Sequence, residues 1–103
     1  MPTAPRVTLS TALVLHALGQ GVRYGFDIID ATGLPSGTVY PILRRLEQAG
    51  LARATWERID TAREEQRPPR RYYRLTGAGT ALLREARDRF PAIAAALGRA
   101  ATA

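Results

Sequence analysis

Fifteen arginines and no lysine carry the recognition chemistry of this 103-residue chain. A guanidinium is always charged and presents a planar fork of donors. It can therefore pair with a phosphate or with the edge of a guanine at two points. Two groups stand out. Arg44 and Arg45 are adjacent, and Arg67, Arg70, Arg71 and Arg74 crowd eight residues that hold no acid. Nine acidic residues leave a net charge of +6. A small chain this basic is biased toward nucleic acid or another anionic partner. All-arginine usage is also what a GC-rich genome produces.

The other reactive side chains are few. With no cysteine and only His16, the chain has no disulfide scaffold, zinc finger, thiol nucleophile or multi-histidine metal site. Without lysine there is no Walker A loop and no Schiff-base amine. Glu64 and Glu65 are neighbours in a polar stretch, where adjacent side chains point apart and no pocket shifts a pKa. Gly77-Ala78-Gly79 opens like a dinucleotide fingerprint but lacks the third glycine and a later acidic ribose ligand. The expectation is no enzyme, no cofactor and no metal. His16 reads as a packed or partly exposed structural histidine.

The arginines need elements to position them. Residues 1–7 read as a loose arm with two prolines. Thr8 or Ser10 caps a helix to about Leu18. That helix is apolar nearly all round, which predicts burial on more than one side and points to a partner subunit over one face. A second helix runs from about Gly25 to Ala31, with Phe26, Ile29 and Ile28 inward. After the turn at residues 32–35, Ser36 or Gly37 opens a third helix to about Ala49, with Gly50 just past its end. Val39, Ile42, Leu43 and Leu46 are its buried stripe. Thr38, Tyr40, Arg44, Arg45 and Gln48 form the other face. Pro41 is read as part of the opening turn, where a missing N–H costs least.

The period then changes from helical to alternating. Residues 51–59 read as a strand, 60–69 as a polar turn or flexible tip without an apolar anchor, and 70–75 as a second strand. The second strand places Arg71, Tyr73 and Leu75 on one face and Arg70, Tyr72 and Arg74 on the other. Thr76 caps a last helix whose stripe is Leu83, Ala86, Phe90, Ile93 or Ala94, and Leu97. Pro91 either kinks this helix or separates two.

The predicted fold is mainly α with a small β-hairpin: a winged helix-turn-helix followed by a C-terminal dimerisation helix. The expected divisions are an arm at 1–7, a DNA-binding domain at 8–76 and a helical dimerisation segment at 77–103. In such a fold the third helix enters the major groove, and the hairpin, or wing, reaches the adjacent groove or the backbone. The expected DNA-binding residues are Ser36, Thr38, Tyr40, Arg44 and Arg45 on the third helix, and Arg67, Arg70 and Arg71 on the wing.

Three stretches resemble the PadR-type transcriptional regulators: YGFDI (24–28), TGLPSGTVYPILRRLEQAGL (32–51) and RRYYRLTGAG (70–79). The resemblance spans about residues 9–83. It implies a dimeric DNA-binding repressor that reads an inverted-repeat operator through its third helix. It also implies a C-terminal helix packed on the partner subunit. Many family members respond to small hydrophobic or phenolic effectors. Thr38 and Tyr40 match helix residues that face DNA, and Arg70 and Arg71 match the basic end of the wing. The chain departs from the pattern at residues 67–70, where Arg-Pro-Pro-Arg replaces a glycine and proline beside the wing arginine. It also has only about 27 residues after the wing.

Trp56 reads as a wing residue packed on the third helix, and Phe90 as core or dimer interface. Because dimer-interface pockets bind ligands in this family, both are also effector-contact candidates. No apolar run approaches the roughly 20 residues of a membrane span, and the N-terminus has no signal-peptide pattern. The expected location is cytoplasmic. The rival reading is a winged-helix interaction module that binds an anionic protein and not DNA. Fold alone does not separate the two.

Overall fold

A computed structural model describes residues 7–93 and 95. Residues 1–6 of the arm predicted at 1–7, and the predicted stripe members Ala94 and Leu97, lie outside the described residues; Val7 is partly buried against the core. Seven elements follow in order: α1 (Leu9–Gly19), α2 (Gly25–Thr32), α3 (Ser36–Gln48), β1 (Ala52–Trp56), α4 (Ile59–Glu64), β2 (Arg71–Leu75) and α5 (Gly77–Arg89).

Local chemistry sets the boundaries. Thr8 caps α1, its hydroxyl accepting from the Thr11 N–H. α2 ends where Gly33 turns left-handed at φ 72°, and the Thr32 hydroxyl donates to the Ile28 carbonyl at 2.7 Å. Gly50, at φ 73°, reverses the chain after α3. Pro41 sits in the second turn of α3 rather than the first, on an exposed side. Thr76 caps α5, accepting from Gly79 N–H, while its own hydroxyl donates to the Gly50 carbonyl at 2.7 Å. The last helix therefore starts from the end of α3.

α1 is the centre of the core. Its Thr11, Ala12, Val14, Leu15, His16, Ala17 and Leu18 are buried, enclosed by α2, α3, α5 and β2 of the same chain. The all-round apolar helix therefore needs no partner subunit to cover it, contrary to the sequence expectation. Leu83, Ala86 and Ile93 from the C-terminal segment join the same core as Val39, Leu43 and Leu46 of α3. Burying a leucine, isoleucine or valine side chain there contributes about 1.5–3 kcal/mol. His16 is also buried. Its Nδ1 accepts from Arg87 Nε at 3.3 Å, and burial followed by the Arg87 charge lowers its pKa. The imidazole is a neutral packing group.

β1 and β2 pair antiparallel, in the register Ala52↔Leu75, Ala54↔Tyr73 and Trp56↔Arg71. Tyr24 adds an antiparallel bridge to Tyr72, and Tyr73 N–H donates to the Arg23 carbonyl at 2.9 Å. The segment before α2 thus acts as a third strand at the open edge of the hairpin.

Four expectations change. Phe26 points outward, 59% exposed, while Ile28 holds its expected core position. The first wing strand stops at Trp56. The polar run beyond it contains α4, and Ala62, buried to 1%, is its apolar anchor, contrary to the expectation of a tip without one. Finally, Trp56 is 65% exposed, where the sequence expectation packed it on the third helix. α5 ends at Arg89, and Phe90 leaves the helical region at φ −130°, ψ 70°, because Pro91 crowds the residue before it. Helical turns resume at residues 92–93, so the proline separates two helical pieces.

Candidate nucleic-acid interface

α3 buries Val39, Ile42, Leu43 and Leu46 and turns Ser36, Gly37, Tyr40, Pro41, Arg44, Arg45 and Gln48 to solvent. Thr38 is half-buried at the flank. Arg44 and Arg45 form no ion pair among the described residues. The helix thus presents two free cations and an amide beyond a smooth stretch made by Gly37 and Pro41.

Tyr40 is anchored on one side. A Cβ placed on Gly25 would lie 2.7 Å from Tyr40 Cε1 and 2.8 Å from its hydroxyl oxygen. The ring therefore lies over the start of α2, and only glycine there lets it approach. Burial raises the Tyr40 pKa, and Tyr24 and Tyr73 add to the shift. Tyr40 fixes α3 against α2 while leaving 39% of its surface open.

The wing arginines are engaged within the chain. Arg67 Nη2 donates to Glu57 Oε2 at 2.9 Å, its Nη1 binds the other carboxylate oxygen, and the Glu57 side chain is only 8% exposed. Tyr72 hydroxyl donates to the same carboxylate at 3.0 Å and Arg70 N–H at 3.3 Å. These donors, Arg67 first, hold Glu57 at a pKa of about 2. The Arg70 guanidinium lies 4.5 Å from the centre of the Tyr24 ring. Arg71 donates to Glu47 of α3 at 2.7 Å and lies 5.3 Å from the centre of the Trp56 indole. Arg67 closes the wing loop, Arg70 ties it to α2, and Arg71 ties it to α3.

Glu57 and Glu47 were missed as organising residues. The visible signal is an acid set beside basic residues, Glu47 after Arg44-Arg45 and Glu57 before Arg58. Trp56 and Phe90 are not brought together. Trp56 lies on the wing, and Phe90 is half-buried against the core after α5. A hollow of about 910 Å³ lies elsewhere, between α2 and the outer face of the hairpin. Its walls include Arg23, Tyr24, Asp27, Asp30, Tyr72 and Arg74. Among the described residues no group of His, Cys, Asp or Glu could hold a metal ion, and no helix is long and apolar enough to cross a membrane.

The family model described as the transcriptional regulator PadR-like family matches residues 14–85, more than half of the chain. No curated protein matches it. Solved structures that share its fold include the following three. A PadR-like transcription factor from Bacteroides fragilis is 28% identical at a TM-score of 0.61, covering 88% of this chain and 87% of that one. A PadR family transcriptional regulator from Eggerthella lenta DSM 2243 is also 28% identical at a TM-score of 0.60, covering 85% and 80%. BpsR from Bordetella bronchiseptica, whose DNA binding is regulated by 6-hydroxynicotinic acid, is 23% identical at a TM-score of 0.65. The alignment covers 87% of this chain but 64% of BpsR, and at that identity the likeness is one of fold.

Proposed function

The chain belongs to the PadR-like family of transcriptional regulators, and from that premise we propose that it is a sequence-specific repressor binding an inverted-repeat operator as a homodimer. The observation that carries the reading is the exposed face of α3. Arg44, Arg45 and Gln48 stand free there, on a helix locked to α2 by Tyr40 and to the wing by the Arg71–Glu47 pair. Such a face matches what a major groove accepts, with arginine reading guanine edges or holding phosphate.

In this reading Ser36, Thr38, Tyr40, Arg44 and Arg45 meet the operator. Arg67, Arg70 and Arg71 set the position and shape of the wing beside it. Residues 8–76 serve as the DNA-binding unit and 77–103 as the segment that extends toward a partner subunit. A small hydrophobic or phenolic effector would release the DNA. The hollow beside Tyr24 and Tyr72 is the space we assign to it, since a ligand there touches both α2 and the wing.

The experiment is a titration of a labelled random duplex at several salt concentrations, followed by sequencing of the genomic fragments the protein retains. Association that falls steeply with salt, with enrichment of one palindromic sequence, supports the reading. No association at low salt overturns it and favours an acidic protein partner.

A further inference from the structure

With Arg67, Arg70 and Arg71 engaged inside the chain, the hairpin leaves a different set of groups to solvent. Trp56 is 65% exposed, Ile59 is 59% exposed, and Arg58 and Arg63 are exposed beside them, Arg58 in a long, solvent-open pair with Asp60 at 3.8 Å. Trp56 lies on the hairpin face that turns toward α3. Its cross-strand partner is Arg71, whose guanidinium sits over the indole and bonds Glu47 on α3. Glu47 is one helical turn from Arg44. Arg44, Glu47, Arg71 and Trp56 therefore make one continuous surface from the exposed helix face to the wing. The indole lies outside the buried core, and a second large exposed apolar side chain, Ile59, follows three residues later.

We propose that Trp56 is the wing's DNA contact. Its indole packs on the deoxyribose edges of the minor groove next to the major groove that α3 enters, while Arg58 and Arg63 hold the flanking phosphates. The inference rests on the DNA-binding reading above. Sugar edges are the apolar part of a duplex surface, and apolar side chains are the groups proteins place against the minor groove. An indole adds a large rigid area and one N–H donor. The wing would thus bind by apolar contact at its centre and by charge at its rim, whereas Arg70 and Arg71 of the return segment are engaged within the chain.

Trp56 is the chain's one tryptophan, so its fluorescence reports on this contact alone. Acrylamide quenching is measured on the full chain, free and saturated with a short random duplex at low salt. Saturation is followed separately by the anisotropy of a label on the DNA. The expected result is a quenching constant at least twofold lower in the complex. Trp56→Ala should weaken binding about tenfold with an unchanged salt slope, since an apolar contact releases no counterions. Trp56→Phe should recover part of the loss. Joint replacement of Arg58 and Arg63 by alanine should flatten the slope by about one for each lost phosphate contact. Unchanged quenching at saturation overturns the proposal whatever the variants do, and so does Trp56→Ala binding as tightly as wild type. If the anisotropy shows no DNA binding, the function reading fails first and this contact falls with it.

Discussion

Glu57 and Arg67 close the wing loop with a two-point ion pair, the guanidinium at 2.9 Å from Glu57 Oε2 and bonded to Oε1 as well. The carboxylate also accepts from Tyr72 and from the Arg70 amide. Its pKa falls from 4.5 to about 2, chiefly through Arg67. A group whose folded pKa is depressed stabilises the fold above its unfolded pKa and loses that contribution as pH falls through the folded value. The wing resonances around residues 57–72 should therefore titrate with a midpoint near 2, followed by NMR. The difference in Tm between wild type and Glu57→Gln should shrink as pH is lowered from about 4.5 to 2. A midpoint in the ordinary glutamate range would mean the clasp does not form in solution.

The arginines should divide into two classes by salt dependence. Arg67 is already neutralised by Glu57, so Arg67→Ala should leave the slope of log K against log salt unchanged while exposing α4 to faster hydrogen exchange. Arg71→Ala should weaken operator and scrambled DNA by similar factors, because it frees the wing from α3. Glu47→Gln should reproduce that effect. Arg44→Ala should instead cost about 1–3 kcal/mol on the operator and less on scrambled DNA. Binding isotherms on both duplexes across a salt series decide it. A slope flattened by about one per subunit in Arg71→Ala would show that this guanidinium leaves Glu47 for a phosphate.

The contrast among these arginines marks where sequence reading stops. The helices α1 to α3, the hairpin and the face assignment of Arg71, Tyr73 and Leu75 were legible because caps, apolar stripes and alternation are local signals. Charge was legible too, but the partner of a charge is a tertiary fact. Nothing in Arg67-Pro68-Pro69-Arg70 announces that Arg67 reaches back to Glu57. The six-residue α4 was illegible for a related reason. It is too short to be stable alone and depends on buried Ala62 and on the Arg67 N–H, which donates to the Ala62 carbonyl at 3.1 Å. Phe26 misled because an aromatic residue near a helix start reads as core, whereas the burial pattern of α2 selects Ile28.

The proposed homodimer would need a surface that the chain does not cover itself. α1 and the Leu83–Ala86 stripe cover each other, which leaves Leu9, 52% exposed at the start of α1, as the apolar group available there. Sedimentation velocity over a range of concentrations should show a dimer, and Leu9→Arg should shift it toward monomer without lowering the Tm by more than a few degrees. Loss of dimer should also reduce operator affinity far more than affinity for a single half-site, since two half-sites about 34 Å apart are then no longer gripped together. A chain that sediments as a monomer at every concentration overturns the dimer.

Two glycines should fail in opposite ways. Gly79 is buried in the first turn of α5, and a Cβ there would lie within van der Waals exclusion of the Leu51 carbonyl. Gly79→Ala must push α5 off the end of the hairpin. It should cost about 2–4 kcal/mol, or roughly 10–25 °C in Tm. Gly37 is different. It lies in the first turn of α3, outside the left-handed region, and a Cβ there meets nothing within 4 Å. The fold does not require it, and alanine should stabilise the helix by about 0.5–1 kcal/mol. On the proposed DNA-binding reading, a glycine there lets the α3 backbone approach the duplex closely. Gly37→Ala should therefore raise Tm by a few degrees and weaken operator binding by about tenfold, because its methyl group stands between α3 and the DNA. Thermal melts and binding isotherms on the same preparation make the comparison. If Tm rises and operator affinity holds, the first turn of α3 does not approach the duplex closely, and base readout lies with Arg44, Arg45 and Gln48 further along the helix.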